Sequence, residues 1–309
     1  MEEKYCSVIS EQLEEPLFGS AGQTDTFFLL EYNGAWEGKA LEKSPLPSAV
    51  KERLNDLVKA LPTAKSLLIK RGAQAIGQTS SGQPGLGQTI NFYIAQAAEA
   101  GARLFRFELS AYEEVLDVDL PGVLAGQRRF EHYLQPGPLY LICTNGRRDL
   151  CCARFGFPVY QAIREKVGEA VWECSHVGGH RFAATVYHLP EGVLYGRVTL
   201  PVVPGLIAAT QSGQMRLENL RGRSMYPQPV QAAEYYLRRE SGEVGLDAYR
   251  LRQAIELSPG HWRVRFTSTS GSTEHELEIR LEKSDQQVFE SCTLDKPTSI
   301  VQYKLLTIT

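Results

Sequence analysis

The sequence predicts a mixed α/β fold that ends in an antiparallel β region. Through the first two thirds of the chain, apolar runs of strand length alternate with segments of helical periodicity, whereas the last third holds short alternating strands. At 309 residues, 43% of them apolar, the chain is long enough for about two domains with sizeable cores. We expect an α/β unit over 1–135, a central domain over 136–215, and a helix with antiparallel strands over 216–309.

The N-terminal α/β unit is expected to alternate between strands and helices. Its predicted elements are strands over 27–32, 66–70 and 104–109 and helices over 50–61 and 91–100. Gly101 is placed to end the second helix. The stretch 72–87 is rich in Gly, Ser and Gln, so we predict a mobile loop there.

The central domain is expected to open with a buried strand over 138–143 that runs into a turn at Asn145 and Gly146. Asp149 is placed to cap the helix that follows, so Cys152 falls in the first helical turn. Free backbone N–H groups and the helix dipole favour a thiolate at that position.

Further along the central domain, Pro158 suits the first turn of a continuation helix that Gly168 closes. The other predicted elements are a strand over 170–174, a hairpin with strands over 182–188 and 193–199, and a helix over 205–212. This β-α-β-β-α order is compatible with a minimal thioredoxin-like domain.

The C-terminal segment should form a helix followed by an antiparallel sheet. The predicted elements are a helix over 229–239 and strands over 262–266, 275–281, 288–292 and 303–309.

Charge and composition narrow the classes of function. The net charge is -3 with both signs interspersed, which argues against a nucleic-acid binder and provides no basic arm for an anionic membrane. The start of the chain has no secretory pattern, and no apolar run is long enough to span a bilayer. We therefore expect a cytoplasmic protein without membrane insertion, whose six cysteines are thiols or metal ligands rather than a disulfide framework.

Two short segments carry the candidate chemistry. Eight residues separate Cys143 from Cys152 across the predicted turn, and a Val-Gly-Gly stretch separates His176 from His180. Thiolate and imidazole are ligands that iron–sulfur clusters and zinc prefer. Our hypothesis is a [2Fe–2S] cluster with two Cys on one iron and two His on the other, a Rieske-like ligand set with a different spacing.

Other interpretations of these residues stay open. Two Cys and two His also suit tetrahedral zinc in a structural or binding module. A thiol oxidoreductase with Cys151 or Cys152 as nucleophile is a third hypothesis, weakened by the lack of a Cys-x-x-Cys pair. We assign Cys151 and Cys174 to packing, although either could substitute as a ligand.

The stretch Cys-Thr-Asn-Gly-Arg-Arg-Asp-Leu-Cys-Cys-Ala from Cys143, followed by Ser-His-Val-Gly-Gly-His-Arg-Phe-Ala from Ser175, resembles the sucrase/ferredoxin-like family. Further similar segments extend over nearly the whole chain, among them Arg221-Gly-Arg-Ser and Ser291-Cys. Asn145 departs from the pattern that the resemblance implies, because His is the residue expected there in many members. The resemblance implies a thioredoxin-like ferredoxin domain and a [2Fe–2S] cluster.

Carried over to this sequence, the cluster ligands that the resemblance implies are Cys143, Cys152, His176 and His180. The expected function is one-electron transfer with an unknown redox partner protein, as a carrier rather than as a catalyst of its own reaction. Histidine ligation should raise the reduction potential above that of an all-Cys cluster. The sequence shows no pair of carboxylates that would support glycoside hydrolysis.

Overall fold

The computed structural model of the protein describes residues 5–72, 89–293 and 296–309. Within these ranges the α-helices are α1 (Cys6–Gln12), α2 (Ala40–Lys43), α3 (Ser48–Ala60), α4 (Leu120–Leu124), α5 (Leu150–Val167), α6 (Val203–Gln211) and α7 (Gln228–Ser241). Among these described residues, none of the helices combines the length and the apolar character that a bilayer crossing requires.

The β-strands of the described residues form a large mixed sheet and a second, antiparallel sheet. The strands are β1 (Thr26–Glu31), β2 (Ala64–Lys70), β3 (Ile90–Gln96), β4 (Arg103–Leu109), β5 (Leu139–Cys143), β6 (Val171–Cys174), β7 (Val186–Leu189), β8 (Val193–Tyr195), β9 (Leu220–Arg223), β10 (Tyr249–Ser258), β11 (His261–Ser268), β12 (Glu274–Val288) and β13 (Thr298–Ile308).

The chain divides into two compact units that alternate along the sequence. The first, which we call the α/β unit, takes Thr24–Val177 and Tyr187–Gly192. The second, the terminal unit, takes Met1–Gln23, Gly178–Val186 and Val193–Thr309. The segment boundaries expected from the sequence, at 135/136 and 215/216, remain predictions.

Within the α/β unit the strand order is β4-β3-β1-β2-β6-β5-β7. The pairs β1/β2 and β5/β6 are parallel, whereas β3 runs antiparallel to both β1 and β4. An antiparallel contact between β2 and β6 joins Ile69 to Cys174 and Lys70 to Glu173. Strands from the N-terminal segment and from the predicted central domain therefore belong to one sheet.

Local patterns explain most elements of this unit. The predicted strands at β1, β2, β4, β5 and β6 and the predicted helix at α3 are confirmed. The strand β1 is buried over five of its six residues, as its continuous apolar sequence indicates. On one side of the sheet, Val50 and Leu54 of α3 join a core that includes Phe28, Phe92 and Phe107.

Two expectations are wrong. The predicted helix over 91–100 is the strand β3, because its residues pair on both sides, with β1 and β4, and six of its seven residues are buried. Tertiary pairing here overrides local helical propensity. Pro158 does not begin a helix but lies inside the continuous α5, which packs against β5 and β6 and ends at Gly168 as expected.

The predicted loop 72–87 falls almost entirely on residues 73–88, outside the described residues.

The terminal unit contains the antiparallel sheet β10-β11-β12-β13, with α7 packed against it. The predicted helix at α7 and the predicted strands at β11, β12 and β13 are confirmed, whereas β10 was not predicted. The strand expected over 288–292 is wrong: Val288 ends β12, and the chain turns at Cys292. Buried Val230, Leu237, Phe266 and Leu277 form part of the core between helix and sheet.

Candidate metal centre

Three of the four predicted ligands converge within the α/β unit. Cys143 is the last residue of β5, Cys152 lies in the first turn of α5, and His176 follows the end of β6 by two residues. The two Sγ atoms and a ring nitrogen of His176 all lie within 4.8 Å of one another. Both sulfurs belong to buried residues, and His176 is half-buried.

The turn before α5 brings Cys152 back towards Cys143. The carboxylate of Asp149 accepts a hydrogen bond from the Cys151 N–H at 2.9 Å, which confirms the predicted N-cap. The side-chain amide of Asn145 donates to the Glu37 carbonyl at 3.0 Å and accepts from the Arg148 N–H at 3.2 Å. Asn145 therefore holds the turn.

Strand β2 fixes the backbone on both sides of His176. The N–H of Ser175 donates to the Leu68 carbonyl at 2.8 Å, and the Ser175 hydroxyl accepts from the Leu68 N–H at 3.1 Å. Beyond the histidine, the Lys65 ammonium donates to the Val177 carbonyl at 3.0 Å. Sequence analysis missed Lys65, because nothing in the strand pattern around it signals a long-range contact.

The surroundings of the two cysteines shift their pKa values in opposite directions. Hydrogen bonding from Cys152 is the largest influence on Cys143, and together with bonds from His176 and the Val177 backbone it holds the pKa of Cys143 well below its usual range, against the effect of burial. The same bond to Cys143, followed by burial, raises the pKa of Cys152 well above its ordinary value. Cys143 is thus the first sulfur to adopt the anionic form that binds metals.

The neighbouring cysteines lie outside this group of three. Cys174 pairs in register with Cys143 on the parallel strands β6 and β5, is fully buried, and has a pKa raised first by burial and then by the charge of Cys143. Cys151 is also fully buried. Burial of both is compatible with the packing role assigned to them, which remains a prediction.

The fourth predicted ligand, His180, belongs to the terminal unit, where it opens a short 3₁₀ helix, His180–Phe182. Gly178 and Gly179 precede it with φ of 99° and 70°, the left-handed region that favours glycine. A Cβ at Gly179 would collide with the guanidinium of Arg221. The glycine pair therefore gives this loop a shape that other residues would not adopt without strain.

Arg221 holds the same loop from the terminal unit. Its guanidinium donates to the Gly178 carbonyl at 3.0 Å and to the Ser20 carbonyl at 2.7 Å, and it lies 4.9 Å from the centre of the Phe182 ring. Arg221 is almost fully buried. In the sequence, Arg221 belongs to the Arg221-Gly-Arg-Ser segment that resembles the family, but we assigned no role to that segment.

A cavity of about 410 Å³ lies beside His176 in the α/β unit. Its charged and polar lining includes Lys39, Glu42, Asn55, Lys65, Arg148 and His176. Lys39 and Glu42 neutralise each other at 3.1 Å, so Arg148 and Lys65 dominate the local charge. The cavity thus presents a basic surface beside His176.

Comparison with known proteins identifies the family of the chain. A relative from Clavispora lusitaniae, named altered inheritance of mitochondria protein 32, is 32% identical over 107 residues, which cover 30% of this chain and 39% of the relative. The match thus spans about two fifths of that protein's length. No solved structure matches the chain. The model of the sucrase/ferredoxin-like family matches residues 17–222, two thirds of the sequence and all of the candidate ligands, so the chain belongs to the sucrase/ferredoxin-like family.

Proposed function

We propose that the protein is a one-electron carrier whose [2Fe–2S] cluster is held by Cys143, Cys152, His176 and His180. The observation that carries this proposal is the convergence of two buried sulfurs and an imidazole nitrogen within 4.8 Å of one another. A cluster bound there would supply one-electron oxidation and reduction. Membership of the sucrase/ferredoxin-like family supports the same conclusion.

The donor set fits such a group chemically. The lowered pKa of Cys143 favours the thiolate form in which cysteine binds metals. Burial of Cys143 and Cys152 excludes water from the sulfur side. The imidazole of His176 lines the cavity, which leaves the histidine side as the approach to solvent.

The thioredoxin-like character of the region is part of the proposal. The parallel strands β5 and β6 are connected by α5, and β7 lies on the other side of β5 in the sheet. This β-α-β core with a further strand beside it agrees with the order expected from the sequence. The ligand cysteines occupy the end of its first strand and the start of its helix.

We propose that the redox partner is a protein with acidic side chains that docks at the cavity beside His176. Arg148 is exposed on its lining, and Lys65 contributes a second positive charge. Complementary charge speeds encounter between such partners and makes it sensitive to salt. The expected setting is the cytoplasm, as the sequence suggests.

Zinc is the second candidate, because three donors from a single unit also suit a tetrahedral site. A zinc-stabilised module would have no redox role. The two proposals differ in colour, metal content and response to reductants.

Anaerobic purification of the full chain, followed by optical spectroscopy and by iron, sulfide and zinc analysis, tests the proposal. We expect visible absorption, two irons and two sulfides per chain, and an EPR signal after reduction by one electron. Stoichiometric zinc in a colourless protein would establish the alternative. A protein that binds no iron after reconstitution with iron and sulfide, and no zinc after incubation with zinc, would refute both.

A further inference from the structure

A second pair of cysteines meets far from the ligand segments in sequence. Cys6 is the first residue of α1, and Cys292 lies in the turn that follows β12. Their sulfurs are 3.6 Å apart although 286 positions separate them in the chain. Both residues belong to the terminal unit, so the contact forms within one compact body.

Hydrogen bonds hold Cys292 in this position. The backbone N–H of Cys6 donates to the Cys292 sulfur at 3.4 Å. On the other side, the Thr293 N–H donates to the Ser291 hydroxyl at 3.3 Å, and the hydroxyls of these two residues are 3.0 Å apart. The turn therefore presents its cysteine to α1, and the two sulfurs need to approach by only about 1.5 Å to reach the disulfide bond length of about 2.05 Å.

The two sulfurs differ in access. Cys6 is 1% exposed, whereas Cys292 is partly exposed. Cys292 is therefore the residue of the pair that a small reagent from solvent would meet first, and the buried Cys6 sulfur lies 3.6 Å from its sulfur. This is the arrangement of an attacking thiol with a resolving thiol.

We propose that Cys6 and Cys292 form a redox-active dithiol that takes a small disulfide, oxidised glutathione, as its oxidant. The Cys292 thiolate attacks one glutathione sulfur, forming a mixed disulfide and releasing the first glutathione thiol. The Cys6 thiolate then attacks the Cys292 sulfur and releases the second. The protein loses two electrons and two thiol protons, and both glutathione thiols carry them away.

The disulfide would join the start of the chain to its last quarter. Closing a loop of nearly the whole sequence restricts the unfolded chain strongly, so the oxidised protein should resist unfolding better than the reduced protein. Because glutathione maintains the redox balance of the cytosol, the pair would respond to a shift in that balance.

The test is thiol alkylation and mass spectrometry of the full-length protein, equilibrated in buffers with increasing ratios of oxidised to reduced glutathione. We expect a peptide that links Cys6 to Cys292, in an amount that rises with that ratio and is reversed by excess reduced glutathione. Absence of this peptide at every ratio, or linkage of either residue to another cysteine instead, would overturn the proposal.

Two variants separate the attacking from the resolving thiol. Cys6→Ser should trap one glutathione on Cys292, whereas Cys292→Ser should leave Cys6 unmodified under the same conditions. Ser7→Ala, at the neighbouring position of α1, is the matched control and should form the Cys6–Cys292 disulfide like the unmodified protein. Equal glutathionylation of both cysteine variants would refute the assigned order of attack. Because no metal takes part, these results do not depend on the cluster.

Discussion

Individual residues at the candidate centre derive their roles from neighbours distant in sequence. The side-chain amide of Asn145 holds the turn that returns Cys152 to Cys143. Lys65 occupies a strand, yet its ammonium orients the carbonyl after His176. Each contact acts on the position of a candidate ligand, as outer partners commonly do around metal sites.

Replacement of single sulfurs tests the ligand assignment. Cys143→Ser and Cys152→Ser should each abolish visible absorption and the reduced-state EPR signal, because a hydroxyl is a poor substitute for a thiolate. Cys151→Ser is the matched control, since it changes an adjacent buried cysteine in the same way. Circular dichroism should show that all three variants fold. If Cys151→Ser lost the absorption and EPR signals while Cys152→Ser kept them, Cys151 would be the ligand and Cys152 the packing residue.

His188 should make stability depend on pH. It is 3% exposed beside the Tyr140 ring, and burial lowers its pKa more than the Glu191 carboxylate, 3.4 Å away, raises it. The folded state therefore keeps a neutral imidazole, while the unfolded chain takes up a proton below its ordinary pKa of about 6.5. Above about pH 6.5 the buried imidazole does not make the free energy of unfolding depend on pH. Below about pH 6.5 the free energy of unfolding should decrease by up to about 1.4 kcal/mol for each pH unit.

Urea unfolding at pH 7.5 and pH 5.5 measures this contribution. The loss of stability between the two pH values should be smaller in His188→Gln than in the unmodified protein. The exposed His132 provides the control, because His132→Gln should leave the loss unchanged. An identical pH dependence in His188→Gln would mean that the buried imidazole does not titrate differently on unfolding.

At the scale of elements, the distance between α5 and β5 determines how the two sulfurs meet. Gly156 is buried on the face of α5 that packs against β5, and a Cβ there would collide with the Cys143 carbonyl oxygen. Helix and strand approach closely because this residue lacks a side chain. The same strand end and the same helix carry Cys143 and Cys152.

Gly156→Ala should therefore weaken both packing and metal retention. We expect a decrease of about 1–3 kcal/mol in the free energy of unfolding, because the helix must move away from a backbone atom that cannot yield. Urea titration and metal analysis measure the two effects. Gly22→Ala is the control, since no atom lies within 4 Å of a Cβ built there. Unchanged stability and metal content in Gly156→Ala would show that α5 shifts without cost.

At the scale of the whole molecule, the terminal unit is assembled from the start, the middle and the end of the chain. The buried Gln231 side chain accepts from the Ala21 N–H at 3.1 Å and donates to the Ala21 carbonyl at 3.0 Å, across 210 positions. Phe18 stacks on Tyr235 with ring centres 4.1 Å apart. Folding of this unit thus depends on both ends of the chain at once.

Replacement of Gln231 should weaken the attachment of the segment around Ala21 to α7. Gln231→Ala leaves the Ala21 N–H and carbonyl without their protein partner, and we expect the free energy of unfolding to fall by about 2–4 kcal/mol. Limited proteolysis should cleave the first 23 residues faster. Gln253→Ala, on the exposed part of β10, should change neither quantity. Normal stability in Gln231→Ala would show that water satisfies the Ala21 groups equally well.

Local sequence determined the elements whose formation depends on near neighbours. Apolar runs predicted β1, β2 and β5, the Asp149 cap predicted the start of α5, and residue type alone singled out the candidate ligands. Such candidates stand out because thiols and imidazoles grouped in turns have few structural uses. These features need only the order of residues along a short stretch.

The tertiary structure decided everything that depends on distant partners. Residues 90–96 favour a helix by propensity, but pairing with strands on both sides makes them β3. Cys6 and Cys292 appeared unrelated until folding brought their sulfurs to 3.6 Å. Both results have the same physical reason. Burial and strand pairing stabilise the fold by more than the weak conformational preferences of single residues. Burial and pairing also join parts of the chain that no local sequence pattern connects.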